Sequence, residues 1–231
     1  MERNVSLNEI SDGKLYDLND LVKVGCNDCI GCFACCQGMG NSILLDPLDI
    51  YRLITNLSLS FEELLIDKIE LNIVDGMIVP NLKMVTESEQ CSFLNSEGRC
   101  SIHAFRPGIC RLFPLGRYYE KESFKYFLQI HECKKDNKTK IKVRKWIDTC
   151  DIKNNEPFIK EWHYFLKDLQ GMLKSMEDDI QIKNINMYVL NQFYVKPYVT
   201  DINFYIQFND RLNEAQVFVD SMFNRNNSLP T

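Results

Sequence analysis

Five cysteines fall within eleven residues, Cys26-Asn-Asp-Cys29-Ile-Gly-Cys32-Phe-Ala-Cys35-Cys36, and no other stretch restricts the chain so tightly. Steps of C-x2-C are the spacing by which a short loop turns several thiolates toward one metal centre. Three residues span at most roughly 10 Å even when extended, so these sulfurs can meet without long-range closure. Buried free cysteine is an ordinary small apolar residue, but burial alone gives no reason for four of them to be spaced evenly by three. The run therefore predicts ligation of a metal or cluster rather than a core. The vicinal pair Cys35-Cys36 adds a restriction. Neighbouring side chains point to different faces, so the two are not expected to bind the same ion. One of them then serves a second site or stays a free thiol.

The later cysteines are Cys91, Cys100, Cys110, Cys133 and Cys150. The N-terminal residues contain no apolar signal-like core, and no run approaches the roughly 20 apolar residues of a bilayer span. A cytoplasmic protein without membrane contact is expected, and in a reducing compartment ten cysteines are better read as ligands than as disulfides. Other motifs exclude chemistry. There is no C-x3-C-x2-C triplet, because position 39 is Met where Cys32 and Cys36 would need a third cysteine. No G-x-G-x-x-G, G-x-S-x-G or Walker sequence is present either, which disfavours dinucleotide, α/β-hydrolase and P-loop chemistry.

Net charge is -5 but unevenly placed. From Arg99 to Lys145 there are thirteen basic and four acidic residues, against a net of -14 elsewhere. Such asymmetry fits either an anionic partner or a solvated loop and strand over Lys134 to Lys145. No alternation of aromatic and basic side chains marks a stacking surface, so a nucleic-acid partner is not expected.

The patterning predicts an α+β chain in two parts: a cysteine-rich region with short hairpins and helices over residues 1–150, and a helical part over 151–231. Leu15, Leu18, Leu21 and Val22 suggest a short helix before the cysteines. Asp46-Pro47 is a helix start, with Asp46 as N-cap and Pro47 at N1. Ser60-Phe-Glu-Glu63 is a capping box. Hairpins are expected over 71–79 on Asp75-Gly76, over 91–102, and over 117–130. Pro107 is expected to open a short helical turn carrying Cys110 and Arg111, ended by Pro114. Beyond Asn155, Phe158, Ile159, Trp162, Phe165, Leu166, Leu169, Met172 and Leu173 recur at helical spacing. Further helices are expected from Ile182 to Val195 and from a cap at Asp201.

Together the cysteines read Cys29-x2-Cys32-x2-Cys35-Cys36, then Cys91-x8-Cys100-x9-Cys110, then Cys133. This order resembles the YkgJ-type cysteine-cluster family, whose CxxCxxCC signature is associated with zinc or iron chelation. The second block matches as well: Cys91-Ser-Phe-Leu, Gly98-Arg-Cys100-Ser-Ile-His103, Arg106-Pro107 and Cys110-Arg111-Leu-Phe-Pro114. The resemblance covers roughly residues 26–135 and leaves Cys26 and Cys150 outside the eight-cysteine pattern. Flagellin lysine-N-methylases carry a similar signature, which implies an iron–sulfur cluster used with methyl transfer to a protein or peptide substrate.

Structural zinc usually joins two C-x2-C knuckles a dozen or more residues apart, whereas consecutive C-x2-C-x2-C is the ligand run of ferredoxin-like clusters. A [4Fe–4S] cluster is therefore favoured, with zinc as the alternative. Cys29, Cys32 and either Cys35 or Cys36 are its expected ligands, completed by one later cysteine; the remaining thiols suffice for a second centre. Arg106 and Arg111 flank Cys110 and can balance an anionic cluster, grip a carboxylate of substrate or cofactor, or form a structural ion pair. His103 and His131 stand beside motif cysteines as ligands, outer-shell donors or locally satisfied histidines. No catalytic residue is identifiable. Three functions stay open: a cluster-dependent enzyme such as a methyltransferase, a metal or cluster carrier or sensor, and a structural zinc module.

Overall fold

The two helix starts written most clearly in the sequence set the frame. Asp46 accepts the Asp49 backbone N–H at 2.8 Å and Asp49 returns the bond to the Asp46 N–H at 3.2 Å, closing a capping box. Ser60 and Glu63 form a second box. These boxes start α2 (Pro47–Leu57) and α3 (Phe61–Asp67), after a short α1 (Leu7–Ile10) and β1 (Leu21–Gly25). The computed structural model describes residues 6–27, 29, 32–85, 87–121 and 123–227, with side chains described to residue 223.

Among the described residues, four two-stranded antiparallel ribbons follow from local pairing and one long-range pairing. Strands β2 (Ile69–Val74) and β3 (Met77–Leu82) turn at Asp75-Gly76, both with positive φ (52° and 84°), as a tight hairpin turn of that type requires. Strands β4 (Met84–Val85) and β5 (Gln90–Cys91) make the smallest ribbon. Helix α4 (Gly108–Leu112) precedes the hairpin of β6 (Leu115–Glu120) and β7 (Ser123–Leu128). Strand β8 (Thr139–Lys142) runs into α5 (Val143–Ile147) and returns to pair with β1. Three longer helices complete the chain: α6 (Ile152–Lys174), α7 (Asp179–Leu190) and α8 (Phe204–Asn227). The architecture is the α+β one expected, with short antiparallel hairpins around the cysteines and a helical C-terminal part.

Three local expectations change. The stretch containing Leu21 and Val22 is strand, not helix. Val22 and Val24 are buried while Leu21 and Lys23 are exposed, the period-two pattern of a half-buried ribbon. The last helix begins at Phe204, and the side chain that accepts its early backbone N–H is Asn203, bonding Tyr205 at 2.8 Å, rather than Asp201. The expected Ile182–Val195 helix is α7 followed by a π-helical turn, Asn191–Val195. Buried Arg211 donates to the carbonyls of Gln192, Lys196 and Pro197 at 2.7–2.8 Å, satisfying groups at the end of this turn.

Apolar burial falls into two clusters. The larger joins Ile43 to Ile102 with the inward faces of α6, α7 and α8, where Phe158, Phe193 and Phe208 are completely or nearly enclosed. The smaller holds Val22, Val24, Leu112, Leu115, Tyr126, Val143 and Ile147 beneath the β1–β8 and β6–β7 ribbons.

Gly25 faces Thr139 in the β1–β8 ribbon, next to a register irregularity at Lys23. A Cβ placed there would crowd the Thr139 hydroxyl and lie 3.2 Å from its carbonyl oxygen. Gly25→Val is therefore expected to spread the ribbon and destabilise the protein by about 1–3 kcal/mol, as overpacking does. Chemical denaturation monitored through Trp146, which lies against the same small core, checks this.

Candidate metal centre

The β1–β8 ribbon decides where the cysteine run begins, because Cys26 leaves the sheet directly after Gly25 while Thr139 leaves it opposite. Asn27 and Cys29 both take left-handed backbone conformations, φ 53° and 58°. For Cys29 this is an uncommon, mildly strained geometry, of the kind found where a site over-determines the chain. The turns stay tight: the Cys32 N–H bonds the Cys29 carbonyl at 3.0 Å, and the Cys36 N–H bonds the Phe33 carbonyl at 2.8 Å, closing a 3-10 turn over Ala34–Cys36. The Cys26 and Cys29 sulfurs are 3.7 Å apart.

Five thiols line one cavity: Cys26, Cys29, Cys32, Cys35 and, from far along the chain, Cys133. Phe113, Pro114 and Trp146 form its apolar wall, and Glu132, Lys134 and Lys135 its polar edge. Trp146 is held by its Nε1–H, which donates to the carbonyls of Leu112 and Phe113 at 3.3 and 3.2 Å. Lys138 ties the Cys133 carbonyl at 2.9 Å.

The other four motif cysteines do not line this cavity. Gln37 pairs with Gln90, and the Gly38 N–H bonds the Glu89 carbonyl at 2.9 Å, so Cys36 sits beside the strand that ends in Cys91. Leu94 pairs with Cys100 and donates its N–H to the Cys91 carbonyl at 2.9 Å. Cys110 rides on α4, whose first N–H, at Gly108, bonds the buried Asp49 carboxylate at 2.8 Å. Phe33, inside the cysteine run, lies against Gly98, where a Cβ would approach its ring to 2.8 Å. The left-handed φ of Gly98 (70°) and this contact both call for glycine.

Crowding shows in the titration of the thiols. Burial, then the neighbouring Cys26, pushes Cys29 up to about 12. Cys36 is raised by its hydrogen bond to Cys35 and by burial, with Cys100 and Cys91 adding like charge. The same Cys36 bond, helped by the nearby Arg106 cation, brings Cys35 down to about 7. Burial raises Cys91 and Cys100, and raises Cys110 strongly. Thiols this close and this desolvated do not ionise together without a compensating cation. The donor set suits zinc or iron, both of which favour thiolate sulfur. Among the described residues no three Cys, His, Asp or Glu side chains already surround one ion-sized point, so loading requires the side chains to draw in.

The remaining candidates divide clearly. Arg106 contacts His103 and lies near Cys29, Cys35 and Cys100, where its charge favours the thiolates. Arg111 is 5 % exposed and donates to the carbonyls of Ala104, Arg106 (3.2 Å) and Asp148 (3.0 Å), tying the Cys100–Cys110 segment to the end of α5. His131 and Cys150 are exposed. Cys26 lines the cavity although it falls outside the eight-cysteine pattern; its C-x2-C step to Cys29 is the sequence signal that marks it. Asp49 and Trp146 carry no such signal, since each acts through a distant backbone group.

Residues 28–139 match the family described as "CxxCxxCC: putative zinc- or iron-chelating domain". That match, over just under half of the chain, places a CxxCxxCC domain within it. No curated protein and no solved structure matches it. The CxxCxxCC domain ends at Thr139, the residue opposite Gly25, so its last stretch is the one that carries Cys133 back to the run. The family description supports metal binding and names zinc and iron together.

Asp49 holds both the start of α2 and the start of α4. Asp49→Ala leaves the half-buried Gly108 and Asp46 N–H groups without that acceptor, and a loss of about 1–3 kcal/mol is expected. Asp49→Asn keeps one acceptor oxygen and is expected to lose less. Urea denaturation of the two variants checks the order.

Proposed function

We propose that this CxxCxxCC domain binds an iron–sulfur cluster of the [4Fe–4S] type, with Cys29, Cys32, Cys35 and Cys133 as ligands. The observation that carries the reading is the shared cavity, which three thiols at consecutive C-x2-C spacing line together with a fourth from the far end of the domain. That arrangement, a compact run completed by a remote thiolate, is the common plan of cysteine-held clusters. Phe113, Pro114 and Trp146 would exclude water from one side, which bears on the potential of any bound centre. Arg106 would offset part of the thiolate charge. When bound, the cluster would supply electron transfer or a Lewis-acidic iron.

The catalytic extension of this reading is methyl transfer to a protein side chain, supported by the resemblance to flagellin lysine-N-methylases alone. Lys134 and Lys135 at the cavity edge give an anionic substrate or partner a favourable approach. The competing reading is a structural or carrier zinc site in the same cavity, supported by the family description.

Anaerobic purification followed by iron, acid-labile sulfide and zinc analysis separates these. The cluster reading expects about four iron and four sulfide per cluster with broad visible absorption, and zinc without sulfide in the cavity overturns it. Cys32→Ala is expected to lose the cluster and much of the soluble protein, because metal binding and folding are coupled. Cys150→Ala is expected to change neither. Arg106→Ala should keep the cluster and shift its midpoint potential to more negative values, since removing a nearby cation disfavours the extra electron; redox titration followed by absorbance reads this directly.

A further inference from the structure

We propose that the chain holds a second metal centre, a single tetrahedrally coordinated ion bound by Cys36, Cys91, Cys100 and Cys110. It shares with the first only the premise that thiols of this domain are metal ligands. Two geometric observations made in different parts of the molecule divide the cysteines in the same way. The cavity is lined by Cys26, Cys29, Cys32, Cys35 and Cys133 and by none of these four. Conversely, Cys91 is part of the large apolar core, and Cys36, Cys100 and Cys110 pack against it, while none of the cavity thiols does.

The backbone brings the four segments near one another, and binding would draw in side chains that do not yet surround one point. The Gln37–Gln90 pairing lays Cys36 beside Cys91, and the Leu94–Cys100 pairing folds Cys100 back over the same strand. Asp49 fixes the first turn of the helix that carries Cys110. Each segment is short: a 3-10 turn, a two-residue strand, a loop and a five-residue helix. Such pieces cannot bury enough apolar surface to order themselves, and a structural metal is a common substitute for core. Cys35 stands between the two groups: it lines the cavity, yet its thiol is hydrogen-bonded to Cys36 and its charge reaches Cys91, Cys100 and Cys110, while Cys36 lines no part of the cavity.

A closed set of four protein thiolates leaves no open coordination position, which is the signature of a structural rather than a catalytic site. Zinc is the ion such a set usually takes, with ferrous iron as the other four-thiolate occupant. Loading removes four thiol protons and gives a site of net charge -2 around a divalent ion. Lys68 lies near Cys91, and Arg99 and Arg106 near Cys100, where they reduce the cost of that charge.

Native mass spectrometry of the anaerobically purified full-length chain counts the centres without any substitution. The expected result is the mass of one cluster or ion in the cavity plus one further Zn2+ or Fe2+. Cys100→Ser should lose only that further ion and keep visible absorption, whereas Cys32→Ser should lose the cavity's metal and keep the single ion. A Cys100-dependent ion in a protein whose cavity binds nothing upholds this proposal and defeats the preceding one. A single centre that is lost with Cys32 and kept by Cys100→Ser, or loss of the same metal from both variants, overturns it, as does a second cluster with its own sulfide. If Cys100→Ser does not fold, Co2+ loading of Cys32→Ser and of Cys32→Ser/Cys110→Ser decides: tetrahedral thiolate-to-cobalt absorption present in the first and lost in the second upholds the second site, and equal absorption in both, or none in either, overturns it.

Discussion

The pairing of β1 with β8 is the constraint on which the rest of the cysteine region depends. It joins Gly25 to Thr139, and so holds the two ends of the whole cysteine-bearing segment at adjacent positions. Closing a loop of that length costs roughly 4 kcal/mol in chain entropy before any constant contribution. Hydrogen bonds of one short ribbon would scarcely offset this. Val22, Val24, Val143 and Ile147 do, because each is almost wholly removed from water and contributes on the order of 1.5–3 kcal/mol. The small core is thus the device that brings Cys133 to the wall of a cavity formed by residues near the N-terminus.

A second level of organisation comes from side chains that satisfy backbone groups across the chain. Asp49, Arg111, Trp146 and Arg211 all act this way. Each is bound to a main-chain N–H or carbonyl distant in sequence, and each sits where regular structure ends and leaves polar groups unmatched. Arg111 shows the consequence for interpretation. It stands beside Cys110 in sequence, yet its guanidinium faces three carbonyls, leaving Arg106 as the arginine whose charge reaches several thiols. Rigid placement of α4 between Asp49 and Arg111 fixes Cys110 without using the thiol itself.

Electrostatics then gives the site its character. Burial and mutual proximity raise Cys29, Cys36, Cys91, Cys100 and Cys110, while Cys35, hydrogen-bonded by Cys36 and near Arg106, is brought down. A set of groups that resists losing its protons together binds a cation with release of those protons, so metal and fold reinforce each other. The left-handed backbone at Cys29 fits the same picture of a loop shaped by what it encloses.

The sequence by itself determined the elements whose signals are local. The capping boxes at Asp46 and Ser60, the Asp75-Gly76 turn, the apolar face of α6 and the C-x2-C run with its second motif block all act within a few residues, and each is legible there. Only the tertiary structure decided which thiols share a cavity. Leu21–Gly25 illustrates why: its valines fit a strand only once Thr139–Lys142 supplies a partner and the small core covers one face. That Cys35 and Cys26 line the cavity while Cys36 does not follows from the same cause. Spacing limits how far apart neighbouring sulfurs can be, but which distant sulfur they meet depends on long-range pairing and burial, and no short stretch of sequence carries that information.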